Sequence, residues 1–105
     1  MSEEYKDTKE TINLLSLGIL KFKKKEFYKA ISYFIEVYEV DNKNKESILY
    51  LKLCLGILKF NKKDYSKAIS YLIEVNEIDN TNKECILYLG KTRLALKDYK
   101  SALRD

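Results

Sequence analysis

The chain has 105 residues, enough for one compact domain, and 46% of them are apolar while 34% are charged. This composition is typical of a soluble globular protein and excludes a disordered tail. Proline is absent and glycine occurs only three times, so long stretches lack the residues that break helices. The net charge of +4 is spread along the whole length, which disfavours nucleic acid as a partner. We therefore expect an all-helical protein.

Other classes of protein are disfavoured by what the sequence lacks. It has no histidine, no glycine-rich phosphate loop, no serine in an elbow motif and no paired carboxylates on one apolar face. We therefore expect no enzyme activity, no catalytic residue and no cofactor.

Cys54 and Cys85 have no CxxC spacing and occupy apolar-periodic positions, which predicts buried, reduced thiols and no metal site. The polar N-terminal residues are neither a signal nor a transit peptide, and no apolar run reaches the roughly 20 residues of a membrane span. A cytoplasmic protein is expected.

Apolar periodicity and turn signals predict six helical segments. In chain order these are residues 7–24, 27–40, 45–62, 65–78 and 83–96, and a half-length helix that begins at Tyr99. The polar residues 41–44 and 79–82 separate successive pairs of helices. Their aspartate and asparagine side chains are suited to ending one helix and capping the next. The helices are therefore expected to form hairpins.

An internal duplication is the clearest feature of the sequence. Residues 17–51 and 55–89 are identical at 26 of 35 positions, at an offset of 38 residues. A third copy follows at an offset of 34, because Gly90, Asp98, Tyr99 and Ala102 repeat the spacing of Gly56, Asp64, Tyr65 and Ala68. The two offsets differ by about one helical turn, which nearly preserves the buried face. We expect a single domain over residues 1–105 with repeat units at about 7–44, 45–82 and 83–105, the last of them truncated.

The repeated positions resemble the tetratricopeptide repeat, in which Leu-Gly, an aromatic residue, Ala and a second aromatic residue recur every 34 residues. In the first copy they are Leu17, Gly18, Phe27, Ala30, Phe34 and Val37; in the second Leu55, Gly56, Tyr65, Ala68, Leu72 and Val75; in the third Leu89, Gly90, Tyr99 and Ala102. Asn42 and Asn80 replace the proline that often ends the second helix. The resemblance implies an all-α fold, a right-handed superhelical array of antiparallel helix hairpins with about two and a half units. Gly and Ala are expected where the paired helices cross closely.

The resemblance also implies a concave groove lined by the first helix of each hairpin. The predicted groove residues are Leu15, Ile19, Phe22, Leu53, Ile57, Phe60, Tyr88 and Lys91. They are mostly apolar, and the Lys, Asn and Arg with which chaperone-binding members grip a C-terminal carboxylate are absent from the matching positions. We expect a scaffold that binds an apolar or amphipathic helical segment of a partner protein or peptide. The alternative interpretation is that these side chains are ordinary core.

Three other functions are consistent with the sequence. The half-length last helix would leave the preceding hairpin uncapped, which suggests a fragment of a longer array or a homo-oligomer. The contact would then include Leu94, Leu96, Tyr99 and Leu103. Residues 84–89 also resemble short tetratricopeptide adaptors that recruit the mitochondrial fission machinery. Finally, Lys23, Lys24, Lys25, Lys62, Lys63 and Lys97 would line one edge of the array and could contact RNA.

Overall fold

A computed structural model describes residues 3–104 of the chain, with side chains for residues 9–100 and Leu103. The described residues form five α-helices and no strand, which confirms the all-helical prediction. The helices are α1, Glu3–Lys23; α2, Phe27–Val40; α3, Lys45–Asn61; α4, Tyr65–Ile78; and α5, Lys83–Arg104. Met1, Ser2 and Asp105, which the predicted domain includes, lie outside the described residues, as does the side chain of Ala102. Within residues 3–104, none of the helices combines the length and the hydropathy that a transmembrane span requires.

The chain divides into two compact units, Met1–Cys54 and Leu55–Asp105, and each is described by itself. Unit 1 contains α1, α2 and the start of α3, and unit 2 contains the rest of α3 with α4 and α5. The predicted single domain and the predicted superhelical array concern the arrangement of the two units and remain predictions.

In unit 1, α1 and α2 pack together as a helical hairpin. Ala30, Phe34 and Val37 are fully buried, and their spacing of four and three residues places them on one face of α2. Gly18 of α1 faces the ring of Phe34 so closely that a Cβ atom at residue 18 would be 2.5 Å from Cε1 of that ring. The repeated glycine is therefore required here for the helices to approach, as the sequence predicts.

In unit 2, α4 packs against α5. Residues equivalent to those of α2, namely Ala68, Leu72 and Val75, are again fully buried. From α5 the core receives Cys85, Leu89 and Thr92. The Cys85 Sγ atom lies 3.1 Å from the Leu72 backbone oxygen and donates a weak hydrogen bond to it. The thiol therefore has a local polar partner inside an apolar core.

The turn inside each of the first two hairpins has a left-handed lysine. Lys25 has a φ of 63° and Lys63 a φ of 66°. After α1, the N–H groups of Lys25 and Glu26 donate to the carbonyl oxygens of Phe22 and Lys21, both at 2.9 Å. After α3, Lys63 and Asp64 donate to Phe60 and Lys59 at the same distances. This is the helix ending in which glycine is usual, so each lysine adopts a conformation that costs about 1–2 kcal/mol.

The predicted polar caps are confirmed. The Asn44 Oδ1 atom accepts a hydrogen bond from the Ser47 N–H at 2.8 Å, at the start of α3. At the start of α5, Asn82 Oδ1 accepts one from the Cys85 N–H, also at 2.8 Å. Each asparagine therefore satisfies one of the backbone N–H groups that a helix start leaves without a partner.

The predicted sixth helix is wrong, because α5 runs without a break from Lys83 to Arg104. In the second copy Asn61 and Lys62 precede the left-handed Lys63, whereas the third copy has Ala95 and Leu96 at those positions. Alanine and leucine are the strongest helix formers, so the helix continues through Lys97 and does not turn. Residues 99–104 extend α5 and do not begin a new hairpin arm.

Candidate partner-binding site

The predicted groove residues differ widely in their access to solvent. In unit 1, Phe22 and Leu53 are buried, while Leu15 and Ile19 are half-buried. In unit 2, Ile57 is buried, Phe60 and Tyr88 are half-buried and Lys91 is exposed. Leu53, Ile57 and Phe22 are 0%, 1% and 9% exposed, so they offer a partner little or no surface and pack in the core of this chain.

Phe22 belongs to an aromatic cluster that joins three elements of unit 1. Its ring meets that of Phe27 edge to face, with centroids 5.7 Å apart and planes at 66°. It also meets Tyr50 of α3, at 5.3 Å and 71°. Tyr50 in turn stacks on Phe34 at 5.4 Å. Such ring pairs stabilise packing beyond the burial of their area, so the primary role of Phe22 is structural.

Unit 2 contains an equivalent cluster around Phe60. The rings of Phe60 and Tyr65 are 5.7 Å apart and tilted, and those of Phe60 and Tyr88 are 5.5 Å apart at 79°. The Lys91 Nζ atom lies 5.0 Å from the centroid of Tyr88, within the range of a cation–π contact. Phe60, Tyr88 and Lys91, which the sequence predicts as neighbours in a groove, are therefore brought together.

A separate apolar surface lies on α5 and is called here the Gly90 face. It consists of Ile86, Leu87, Gly90 and Leu94, and all four residues are exposed. Ile86, Gly90 and Leu94 follow one another at intervals of four, and Leu87 lies beside them, so they share one side of the helix. A Cβ atom at residue 90 would meet no heavy atom within 4 Å, in contrast to residues 18 and 56.

The exposure of this face contrasts with the equivalent part of α3. At the offset of 34, Leu87 corresponds to Leu53, which is 0% exposed, whereas Leu87 is 50% exposed. Gly90 corresponds to Gly56, where an added Cβ would be 3.0 Å from the Leu72 side chain of α4. The apolar helix face that is covered in the second copy is therefore exposed in the third copy.

The charged residues that border the Gly90 face are mainly basic. Four exposed basic residues, Lys83, Lys91, Arg93 and Lys97, and two exposed acidic residues, Glu84 and Asp98, lie three or four residues along α5 from a member of the face. An acidic segment is therefore the better electrostatic match for this face.

A surface cavity of about 510 Å³ lies where the start of α4 meets α5. It is lined by Lys63, Asp64, Tyr65, Ser66, Ala95, Leu96 and Tyr99. Asp64 caps α4 by accepting from the Lys67 N–H at 3.4 Å, so its carboxylate is already used in the fold. Of the residues predicted for self-association, Leu96 is half-buried beside this cavity, while Leu94, Tyr99 and Leu103 are exposed.

The lysines predicted as an RNA-binding edge occupy two kinds of position. Lys23 ends α1, Lys24, Lys25, Lys62 and Lys63 lie in the hairpin turns, and all five are exposed. Lys97 lies within α5 and not in a turn, because the sixth helix does not form. The break predicted between residues 96 and 99, which would have placed Lys97 in a turn, is therefore wrong.

Both cysteines are free and fully buried, as predicted. Burial raises the pKa of the Cys54 thiol to about 12, and burial raises the pKa of Cys85 as well, with a further contribution from the charge of Asp79. A thiolate is therefore disfavoured at both sites, and neither thiol is poised for nucleophilic chemistry.

Together these features define an all-helical protein built on a duplicated helical hairpin, with an apolar helix face exposed on α5. Comparisons with models of protein families, with curated protein sequences and with solved structures find no match to this chain. Membership of the tetratricopeptide family therefore remains a prediction from the repeated residues.

Proposed function

We propose that this protein is a protein–protein interaction module that holds an amphipathic helix of a partner on the Gly90 face. The observation that carries the proposal is the open space beside Gly90, where the equivalent glycines face Phe34 and Leu72. Those two contacts indicate what fits such a position, namely a large apolar side chain from a crossing helix.

The energetics of the Gly90 face support an occupant. Glycine inside a helix costs about 1 kcal/mol relative to alanine, and here no neighbour of the chain requires it. Ile86, Leu87 and Leu94 each keep half or more of their area exposed. Fully burying a side chain of this kind contributes about 1.5–3 kcal/mol, so covering three half-exposed ones favours association.

The chemistry of the partner follows from the border of the face. Lys83, Arg93 and Lys97 favour an acidic helix, while the apolar side chains favour a partner with apolar residues at intervals of three and four. The proposal therefore retains the helix-in-groove recognition expected from the sequence and transfers it to α5. Of the predicted groove residues, Tyr88 and Lys91 also lie on α5, but neither belongs to the Gly90 face.

A peptide of residues 64–79 is a suitable probe, because it contains α4, the helix that covers Gly56. It is acidic, with Asp64, Glu74, Glu77 and Asp79 against Lys67. We expect a fluorescein-labelled peptide to bind the whole chain with a Kd of roughly 10–100 µM by fluorescence anisotropy. Leu87→Glu with Leu94→Glu is expected to weaken binding at least about tenfold, a loss of some 1.4 kcal/mol.

Two controls make the result specific to this face. Ile12→Glu changes an equally exposed apolar residue of α1 and should leave peptide affinity unchanged. A peptide with Leu72→Glu should lose affinity for the native chain, since Leu72 is the residue that meets the repeated glycine. Equal affinity of the native chain and the double variant would contradict the proposal.

A further inference from the structure

The turn between α1 and α2 contains an excess of lysine, and residues 21–29 are called here the basic tip. They include one acidic residue, Glu26, and five lysines, Lys21, Lys23, Lys24, Lys25 and Lys29. The basic tip therefore has a net charge of +4, which equals the net charge of the whole chain. Lysines occur along the whole sequence, but outside the basic tip they are balanced by acidic residues.

The turn between α3 and α4 repeats this pattern within unit 2. Residues 59–67 have a net charge of +3, from Asp64 and the four lysines Lys59, Lys62, Lys63 and Lys67. The rest of the chain, outside the two turns, has a net charge of −3. In the second turn Asn61 replaces Lys23 and Ser66 replaces Tyr28. The basic tip of unit 1 is therefore the more basic of two equivalent turns.

Most lysines of the basic tip have no acidic partner. The Glu26 carboxylate lies 3.4 Å from the Lys21 Nζ atom and 3.7 Å from the Lys29 Nζ atom. The Lys21 ammonium beside it lowers the pKa of Glu26, and the charges of Lys29 and Lys24 add to this effect. Lys23, Lys24 and Lys25 are exposed and form no ion pair within the described part of the chain. The single carboxylate therefore leaves the tip strongly positive.

The fold does not require lysine throughout this turn. Lys25 has a φ of 63°, a left-handed conformation that glycine adopts without strain and lysine does not. Basic side chains suit the end of α1, but the start of α2 favours acidic ones, and its first turn contains none. The lysines therefore oppose two local preferences of the backbone, which indicates that their charge has a use outside the chain.

The residue types of the tip favour a lipid surface over a nucleic acid. All of its basic residues are lysines, which act as point charges, and it lacks arginine, whose planar fork suits fixed contacts with phosphate. Tyr28 is 65% exposed and lies two residues from the buried Ala30, which places it on the outer side of α2. Helical side chains lean towards the N-terminus, so Tyr28 leans towards the tip. Tyrosine is enriched at the headgroup level of bilayers.

We propose that the basic tip binds the surface of a membrane that contains anionic lipids. The lysines are attracted by the negative surface potential of such a bilayer, and each contributes roughly fivefold in affinity. Tyr28 lies among the headgroups. The contact is peripheral and reversible, because it is carried by exposed charges that salt screens. The turn in unit 2 has less charge and a serine in place of Tyr28, so it contributes less.

Flotation of the whole chain with lipid vesicles tests this proposal. At roughly 50 mM salt we expect binding to phosphatidylcholine vesicles with about 30% phosphatidylserine, and little binding to phosphatidylcholine alone. Raising the salt to about 500 mM should release the chain, because the charges are then screened. A chain that binds neither kind of vesicle, or binds both equally, would overturn the proposal.

A variant of the tip with a matched control shows whether these lysines are responsible. The variant Lys23→Asn, Lys24→Gln, Lys25→Gly should stay folded, because asparagine occurs in the second copy and glycine suits the left-handed turn. We expect its vesicle affinity to fall at least about tenfold. The control removes the same charge from three exposed lysines outside the tip, by Lys9→Gln, Lys43→Gln and Lys45→Gln, and should bind nearly as the native chain does. Equal losses in the two variants would contradict a role of the tip.

Tryptophan fluorescence reports directly on the position of Tyr28. The chain has no tryptophan, so Tyr28→Trp introduces a single fluorophore at the tip. Its emission should shift to shorter wavelength when the anionic vesicles are added, because the indole enters the headgroup region. Ile12→Trp, at an exposed residue of α1 outside the tip, should show no such shift. A shift at residue 12 without one at residue 28 would place the contact elsewhere and overturn the proposal.

A fluorescein-labelled single-stranded oligouridylate distinguishes nucleic acid from lipid. If the native chain binds this oligonucleotide, the tip variant does not, and neither binds the anionic vesicles, the basic tip is a nucleic-acid site and the proposal is wrong. Peptide binding to the Gly90 face is measured without lipid and depends on other residues, so each proposal can fail without the other.

Discussion

Gly18 lies against the ring of Phe34, and a Cβ atom there would be 2.5 to 2.9 Å from three carbons of that ring. The ring has little freedom to move, because Phe34 is fully buried and stacks on Tyr50. Gly18→Ala is therefore expected to destabilise the protein by about 1–2 kcal/mol in urea unfolding, despite the better helix propensity of alanine.

The other two glycines supply an internal control for this effect. Gly90 has no neighbour that an added methyl group would meet, so Gly90→Ala is expected to stabilise the chain by about 0.5–1 kcal/mol. Gly56 faces the flexible end of Leu72 at 3.0 Å, so Gly56→Ala should fall between the two. If all three substitutions stabilise equally, the proposed close approach at Gly18 is wrong.

Leu53 and Leu87 occupy equivalent positions but should respond differently to truncation. Leu53 is fully buried, so Leu53→Ala is expected to cost about 2–5 kcal/mol through lost burial and the cavity it leaves. Leu87 is half exposed, so Leu87→Ala should change the unfolding free energy by only about 0.5 kcal/mol. Urea denaturation of the two variants measures both values. Similar losses would show that Leu87 is covered in solution.

Asn82 is expected to stabilise α5 through its cap. Asn82→Ala removes the 2.8 Å hydrogen bond from the Cys85 N–H, so we expect a loss of about 1 kcal/mol, measured by thermal or urea unfolding. Asn80→Ala, two residues earlier and exposed, is the matched control and should change stability by less. If both substitutions lowered the stability equally, the Asn82 cap would have no specific effect on the free energy of unfolding.

The buried thiol of Cys54 makes stability depend on pH in the alkaline range. The pKa of Cys54 rises from 9.0 to about 12 on folding, so between these values the unfolded chain has released a proton that the folded chain retains. Unfolding is thereby favoured as pH rises above about 9, by up to about 1.4 kcal/mol per pH unit.

Comparison with Cys54→Ala isolates this contribution from other groups that titrate at high pH. Relative to the variant, the native chain should lose stability between pH 9.0 and about 12.

Both thiols should also resist a disulfide reagent such as Ellman's reagent at neutral pH and react after unfolding, because both are fully buried. Rapid labelling of the folded chain would contradict the described burial.

Local signals allowed much of the fold to be predicted. The bounds of α2 and α4 agree with the prediction, because each helix follows a tight turn and is followed by a polar cap residue, Asp41 or Asp79. The caps by Asn44 and Asn82 were also predictable, since asparagine is one of the preferred residues at a helix N-cap. The left-handed Lys25 and Lys63 were not, because a lysine carries no preference for that conformation.

The failures have two physical causes. The first is that the burial of a side chain depends on what covers it, which the periodicity of the sequence does not reveal. Leu53 and Leu87 are indistinguishable by periodicity, yet one is core and the other surface. The second is that the helix propensity of Ala95 and Leu96 outweighs the similarity of this segment to the second copy, so the turn predicted after Leu96 does not form.

The fit of Phe34 to Gly18, and of Leu72 to Gly56, also bears on how this chain folds. With α2 and α4 so alike in sequence, a collapsing chain can bring either of them to α1 or to α3. Such exchanged pairings bury the same kinds of surface, which makes them natural traps in a repeated sequence. If Leu72 packed against Gly18, the space that the Phe34 ring fills in the native pairing would be left partly empty. If Phe34 packed against Gly56, its ring would be too large for the space that Leu72 fills. A single difference in side-chain size therefore gives each helix a preferred partner and separates the native pairing from its near copy in energy.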